Sequence, residues 1–174
     1  VLFRSIERTT QVTTLAQVLK ENGYHTIHCG KAHFGAIDTP GEDPLRMGFE
    51  VNIAGHAAGS PASYYGKENF GNKTDRKNPP AAVPGLEKYH GTDTFLSEAL
   101  TLEAEKALDD AQKSDKPFFL YMAHYAVHTP IQPDMRFYQK YIYKGLPPVE
   151  AAYATLVEGM DKSLGDLMDY LEEK

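Results

Sequence analysis

The chain has 174 residues, of which 41% are hydrophobic and 24% charged, and its net charge is −6. That is the size and composition of one globular domain, and the absence of a basic tract argues against a nucleic-acid binder. No apolar run approaches the ~20 residues of a membrane span, and the single cysteine, Cys29, excludes an internal disulfide framework.

The first residues of the chain do not look natural. It begins with Val1 instead of methionine, and residues 1–5 read like the translated tail of a sequencing adapter. We therefore expect residues 1–5 to be non-native and the natural sequence to begin at residue 6. No secretory leader is visible in the chain.

The N-terminal half begins with a helix and a strand. Thr13 or Thr14 caps an amphipathic helix that Gly23 ends, and residues 24–29 are rich in strand-forming residues. A loop with turn signals follows to about residue 50, and residues 49–53 favour a second strand. Between residues 54 and 91 lies a stretch rich in Gly, Pro, Asn and Tyr, whose aromatic residues indicate an ordered loop.

The C-terminal half predicts further helices around a buried strand. Thr92 or Asp93 caps a long helix, and the apolar run 118–123 predicts a strand buried on both faces, as in a parallel sheet. A short helix over 134–141 and a long one over 148–171 complete the pattern. The residues expected to face inward on the last helix are Val149, Ala152, Tyr153, Leu156, Met160, Leu164, Leu167, Met168 and Leu171. The order of elements predicts an α/β layered fold.

Three side chains suitable for anion chemistry follow predicted strands. Lys31 and His33 come directly after the first strand, and His128 follows the strand at 118–123. Because ligands bind outside the carboxyl ends of strands in open α/β sheets, these groups could converge there. A lysine would hold an anion and two histidines would move protons. Taken singly, each is more often an ordinary loop or structural residue.

Two other chemistries are conceivable on the same segment. His25, His28, Cys29 and His33 are potential zinc ligands, but strand alternation puts His28 on the opposite face from His25 and Cys29. No second Cys/His pair stands at ligand spacing. Cys29 is a weak candidate nucleophile, because a thiol within an apolar strand is usually inert packing.

Three segments resemble the sulfatase family. Residues 24–35 are similar to its G-K-x-H segment, and residues 116–121 followed by 126–130 are similar to its second signature. Residues 153–161, with Gly165 and Leu167, match the helix that follows. They occur in the family's order, and residues 48–71 look like bacterial sulfatases that act on polysaccharides. The resemblance implies a partial alkaline-phosphatase-like α/β/α sandwich with a mainly parallel sheet, with residues 6–174 as part of the catalytic domain.

The resemblance also implies roles. Lys31 would bind a sulfate oxygen, His33 would contact a formylglycine nucleophile and help to eliminate sulfate, and His128 would protonate the leaving alcohol. Sulfatases use a calcium ion and a formylglycine made from cysteine in a C-x-P-S-R type motif. Neither that motif nor the calcium-binding aspartates occur in this sequence. We therefore expect the middle part of a sulfatase, inactive by itself, with no metal ligands of its own.

The substrate and compartment are expectations of the same kind. The family implies a sulfated carbohydrate or aryl sulfate substrate and a periplasmic or secreted protein. His56, Tyr64, Tyr65 and Lys67, in the loop 54–91, are the candidate substrate contacts. A phosphatase or phosphonate hydrolase of the same superfamily is an open alternative, since both esters are tetrahedral anions. A non-catalytic carbohydrate-binding protein on this scaffold is another.

Overall fold

The fold is a small parallel sheet with helices on both faces. The computed structural model describes residues 12–174, so the expectation for residues 1–5 lies outside the described residues. The helices are α1 (Leu15–Glu21), α2 (Leu96–Gln112), α3 (Met135–Tyr143) and α4 (Pro148–Glu173), and the strands are β1 (His25–Gly30), β2 (Val51–Ile53) and β3 (Phe118–Ala123). None of the helices within residues 12–174 combines the length and the hydrophobicity of a membrane-spanning segment.

Strand β1 is the centre of the sheet. It pairs in parallel with β2 on one side and with β3 on the other, giving the order β2-β1-β3. All three carboxyl ends therefore lie at one edge, because every strand runs in the same direction. The predicted α/β class and parallel sheet are confirmed.

Alternation along β1 separates two packing layers. Cys29 faces α2, where its Sγ donates to the carbonyl of Leu100 at 3.4 Å. His28 faces the other layer, where its ring meets Phe34 and Phe49 edge-on at centroid distances of 5.5 and 5.3 Å. The expected separation of His28 from Cys29 is thus present, and the aromatic layer lies beside α1.

Helix boundaries follow from local capping. Thr14 caps α1 as expected, since its side chain accepts from the amide of Gln17. The prediction that Thr92 or Asp93 caps α2 is wrong, because α2 begins at Leu96. There the Glu98 side chain accepts from the backbone N–H of Phe95, satisfying one of the free donors before the first turn.

Two burial predictions are also wrong. Strand β3 is half-buried instead of buried on both faces, and Tyr121 is 43% exposed. On α4, Ala152, Leu156 and Leu167 are buried, Met160 is half-buried, and the other five residues expected to face inward are exposed. These five are Val149, Tyr153, Leu164, Met168 and Leu171. In both elements, apolar surface that the sequence assigns to a core lies open.

The long loop 54–91 is ordered, as its aromatic residues indicate. It contains two short 3₁₀ segments, Gly66–Gly71 and Glu87–Tyr89. Phe70, Val83 and Leu86 within it are completely buried against the core formed with α2. The loop therefore belongs to the folded body and holds its shape beside the carboxyl edge of the sheet.

Candidate active site

Lys31 is held at the carboxyl edge of the sheet, where the ends of β1 and β3 approach each other closely. The backbone N–H of Lys31 donates to the carbonyl of Ala123 at 2.6 Å. Gly30, with φ +106°, allows this approach, because a Cβ there would lie 1.9 Å from the same carbonyl oxygen. The half-buried Lys31 side chain thus starts between the ends of two neighbouring strands.

His33 is fixed to the loop that follows β2. Its backbone has φ 54°, a left-handed conformation uncommon outside glycine. Its N–H donates to the carbonyl of His56 at 3.0 Å, and Gly59 lies against its ring. A Cβ on Gly59 would come within 2.5 Å of Nδ1 of His33. The exposed imidazole is therefore positioned by two residues of the long loop.

His128 sits on a tight turn after β3. Its N–H donates to the carbonyl of Tyr125 at 3.0 Å, and its Nδ1 lies 3.1 Å from Oγ1 of Thr129. The imidazole is exposed. Directly beyond the strand, His124 is half-buried, and burial lowers the pKa of its imidazole to about 4.

Two buried tyrosines join this turn to the long loop. The Tyr64 hydroxyl lies 2.9 Å from the carbonyl oxygens of both Tyr125 and His128, and it has 1% of its surface exposed. The Tyr125 hydroxyl, in the turn after β3, donates to the carbonyl of Ala54 in the long loop at 2.8 Å. Burial raises the pKa of both phenols, so each stays a hydrogen-bond donor. The loops after β1, β2 and β3 are thus hydrogen-bonded to one another.

The four residues expected to contact substrate have different environments. Tyr64 is buried, with its hydroxyl between two backbone carbonyls of the turn after β3. Tyr65 is half-buried, and its hydroxyl donates to the carbonyl of Pro133 at 2.8 Å. His56 is half-buried, and burial lowers its pKa. Lys67 is exposed and forms an ion pair with Asp93. Only the charged group of Lys67 is openly accessible among these four, and burial leaves Tyr64 no surface to offer a ligand.

Lys67 also stands between two cavities. One, of about 400 Å³, is polar and is lined by Ser63, Asn72 and Lys73 among others. The second, of about 500 Å³, is lined by Phe95 and Met135 together with charged residues. Lys67 and Glu68 border both.

Sequence reasoning misses the residues that hold the site together. Nothing in the sequence indicates the role of Tyr125, although it lies two residues beyond β3. Nothing in the sequence indicates the role of Gln132 either. Its Oε1 accepts from the backbone N–H of Tyr64 at 2.7 Å, and its Nε2 donates to Glu68 at 3.2 Å. Both residues act through hydrogen bonds to distant parts of the chain, so no local sequence pattern marks them.

Comparison with known proteins decides the family. The family model described as Sulfatase matches residues 2–174. The chain belongs to the sulfatase family. A sulfatase of Formosa agariphila is 29% identical over 92% of this chain, and the arylsulfatase of Klebsiella aerogenes is 30% identical over 72% of it.

Solved sulfatases share the fold. The crystal structure of Ps i-CgsB in complex with k-i-k-neocarrahexaose superposes with a TM-score of 0.75 at 27% identity over 94% of this chain. PsFucS1 sulfatase from Pseudoalteromonas sp. is 16% identical with a TM-score of 0.60, which is a likeness of fold alone. This sulfatase chain spans about a third of the length of the curated relatives, 34% of the Formosa agariphila protein and 30% of Escherichia coli YdeN.

The groups that sulfatases use do not fit the residues described here. Among residues 12–174, no three His, Cys, Asp or Glu side chains are grouped so that they could hold a metal ion. Cys29 is completely buried in β1, and burial raises the pKa of its thiol. These observations identify neither a ligand set for a calcium ion nor a cysteine suited to formylglycine among residues 12–174.

Proposed function

We propose that this chain supplies the supporting half of a sulfatase active site in a longer protein that hydrolyses sulfate esters. The observation that supports the proposal best is the hydrogen bonding among the loops that carry Lys31, His33 and His128 at one edge of the sheet. One permanent cation and two imidazoles are suited to holding a sulfate group and moving protons around it.

Each residue has a role consistent with its chemistry. Lys31, half-buried between two strand ends, would bind a sulfate oxygen and stabilise negative charge that develops there. His33 and His128, both exposed, would exchange protons with the attacking group and with the leaving alcohol. The nucleophile and the calcium ion that the family implies would come from outside the described residues.

A sulfated carbohydrate is the proposed substrate class. Ps i-CgsB was crystallised in complex with k-i-k-neocarrahexaose, and its structure resembles 94% of this chain. We propose that Lys67 contacts the sugar, since it is exposed at the border of two cavities. For the half-buried His56 we propose a positioning role, because its carbonyl accepts from the N–H of His33. For Tyr64 and Tyr65, whose hydroxyls are taken up by backbone carbonyls, we propose positioning roles.

The test requires the longer protein encoded around this segment. Lys31→Ala, His33→Ala and His128→Ala should each lower kcat on a sulfated oligosaccharide by about 10²- to 10⁴-fold. The exposed Lys144→Ala variant is the matched control and should retain the parent rate. Parent-level turnover by Lys31→Ala would contradict the proposal.

Two further outcomes separate the alternatives. Faster hydrolysis of phosphate esters than of the matching sulfate esters would favour the phosphatase interpretation. Binding of oligosaccharide without turnover of any ester would favour the carbohydrate-binding one. The 174-residue chain alone should show no hydrolysis of an aryl sulfate, and measurable turnover by it would overturn the inference that its nucleophile lies elsewhere.

A further inference from the structure

One cavity beside Lys67 takes no part in the chemistry proposed for Lys31, His33 and His128. It has a volume of about 500 Å³ and lies between the loop segment that carries Lys67, the residues just before α2 and the start of α3. We call it the Met135 cavity. Its apolar lining is formed by Tyr65, Phe95 and Met135, and its charged lining includes Lys67, Asp93 and Arg136. Apolar walls with a few polar groups are typical of a small-molecule site of this size.

The apolar lining suits the C–H face of a sugar ring. Met135 is 65% exposed, and Tyr65 is half-buried. The Tyr65 ring is fixed, because its hydroxyl donates to the carbonyl of Pro133 and its edge meets the Phe95 ring at a centroid distance of 5.7 Å. One face of a hexose ring is rich in C–H groups, which pack well on aromatic and thioether surface. The cavity therefore offers such a ring a rigid apolar wall.

Arg136 supplies hydrogen-bond donors in a fixed orientation. Its Nε and Nη2 donate to the carboxylate of Asp134 at 3.0 and 2.6 Å, and its Nη1 lies 3.1 Å from Glu98. Asp134 is 1% exposed, so the guanidinium is tied to a buried anchor. A guanidinium has five N–H groups, and these contacts within residues 12–174 engage three of them. Two N–H groups thus remain to donate to the hydroxyls of a ligand.

The charges around the Met135 cavity favour an uncharged ligand. Its lining contains three carboxylates, those of Glu68, Asp93 and Asp134, but only two cations, Lys67 and Arg136. A sulfate group placed there would meet an excess of negative charge, which opposes its binding. Lys67 and Asp93 form an exposed ion pair, worth about 0–1 kcal/mol, so sugar hydroxyls can replace it at little cost.

The Met135 cavity is joined to the segment that carries His128. Tyr65 bonds to Pro133 in that segment, and the neighbouring Tyr64 hydroxyl lies 2.9 Å from the carbonyl oxygen of His128. His128 and Asp134 are six residues apart, so their Cα atoms are separated by at most roughly 22 Å. That separation is within the length of a short oligosaccharide.

We propose that the Met135 cavity is a binding subsite for an unsulfated sugar unit, joined through the oligosaccharide chain to the unit that carries the reacting sulfate ester. The inference rests on the proposed function for its substrate class. It adds that the protein recognises an uncharged part of the chain, away from the ester that it hydrolyses.

Equilibrium binding to the longer protein tests the proposal. The probe is k-i-k-neocarrahexaose after complete chemical desulfation, titrated in a calorimeter. The parent should bind it with a Kd of about 1 mM or lower. Met135→Trp fills the cavity and should weaken binding by about ten-fold or more. The matched control, Tyr143→Trp, introduces the same side chain at the other end of α3, where Tyr143 is 83% exposed, and should change Kd less than about two-fold.

Two further titrations check the polar lining. Lys67→Ala alters an exposed side chain and should weaken binding by about two- to ten-fold, as expected for one lost hydrogen bond. Sodium sulfate should displace the probe no more than sodium chloride does at the same ionic strength, because carboxylates outnumber cations in the lining.

Three results would each overturn the proposal: no binding by the parent, equal binding by the parent and Met135→Trp, or specific displacement by sulfate. Binding requires no turnover. A longer protein that hydrolyses no sulfate ester would therefore refute the proposed function, while these titrations would still decide whether the Met135 cavity binds sugar.

Discussion

The Tyr64 hydroxyl offers the sharpest test of how the site is held together. Tyr64→Phe removes one oxygen and leaves the packing volume nearly unchanged. That oxygen lies 2.9 Å from the carbonyls of Tyr125 and His128, in a position with 1% exposure. The carbonyl of Tyr125 keeps the N–H of His128 as a donor, so the substitution removes a hydrogen bond without leaving that carbonyl unpaired, at a cost of about 0.5–1.5 kcal/mol.

Urea unfolding of the 174-residue chain measures this cost. With a slope of about 2 kcal/mol per molar, the midpoint should fall by roughly 0.25–0.75 M. The control is Tyr143→Phe, at a tyrosine that is 83% exposed, and its midpoint should stay at the wild-type value. A Tyr64→Phe midpoint equal to that of the control would refute the assignment of Tyr64 as a strut between the loops.

Three further predictions follow from buried groups. Gly30→Ala should lower the free energy of unfolding in urea far more than Gly91→Ala. Both glycines have positive φ, which alone accounts for about 1–2 kcal/mol, but only at Gly30 would the added Cβ lie against backbone, at 1.9 Å. Equal losses of unfolding free energy in the two variants would disprove the clash. Burial lowers the pKa of His28 to about 4. Between about pH 6.5 and 4, the unfolded state therefore binds a proton that the folded state does not. The free energy of unfolding should fall by up to ~3 kcal/mol as the pH drops through this range. His28→Leu should lose that part of the pH dependence in unfolding curves at about pH 7 and about pH 4.5, and an unchanged slope would count against it. The thiol of Cys29 should react with a disulfide reagent only after unfolding, and rapid labelling of the native chain would show that β1 is not closed.

The sequence predicts the local elements well because their signals are local. Thr14 and Gly23 bound α1, and the strand at 118–123 pairs in parallel as its apolar run indicates. Burial is harder to predict, because apolar side chains such as Leu164 and Met168 recur at helical spacing and are nevertheless exposed. The spacing of residues on a helix shows a face but not what covers it.

The site can be predicted only in part for a related reason. Lys31, His33 and His128 stand out because their residue types and their positions after strands imply chemistry. Tyr125 and Gln132 do not, since they act through backbone groups more than fifty residues away in the chain. Such contacts leave no spacing pattern that a single sequence can reveal.

The hydrogen bonds between loops also bear on protein engineering. Tyr64 and Tyr125 connect the loop after β2 and the turn after β3 in both directions, each reaching backbone in the other's segment. A loop transplanted alone from another member of the family would leave these hydroxyls or carbonyls without partners. Exchange of substrate preference between relatives therefore calls for moving residues 54–65 and 123–132 together, as one cassette.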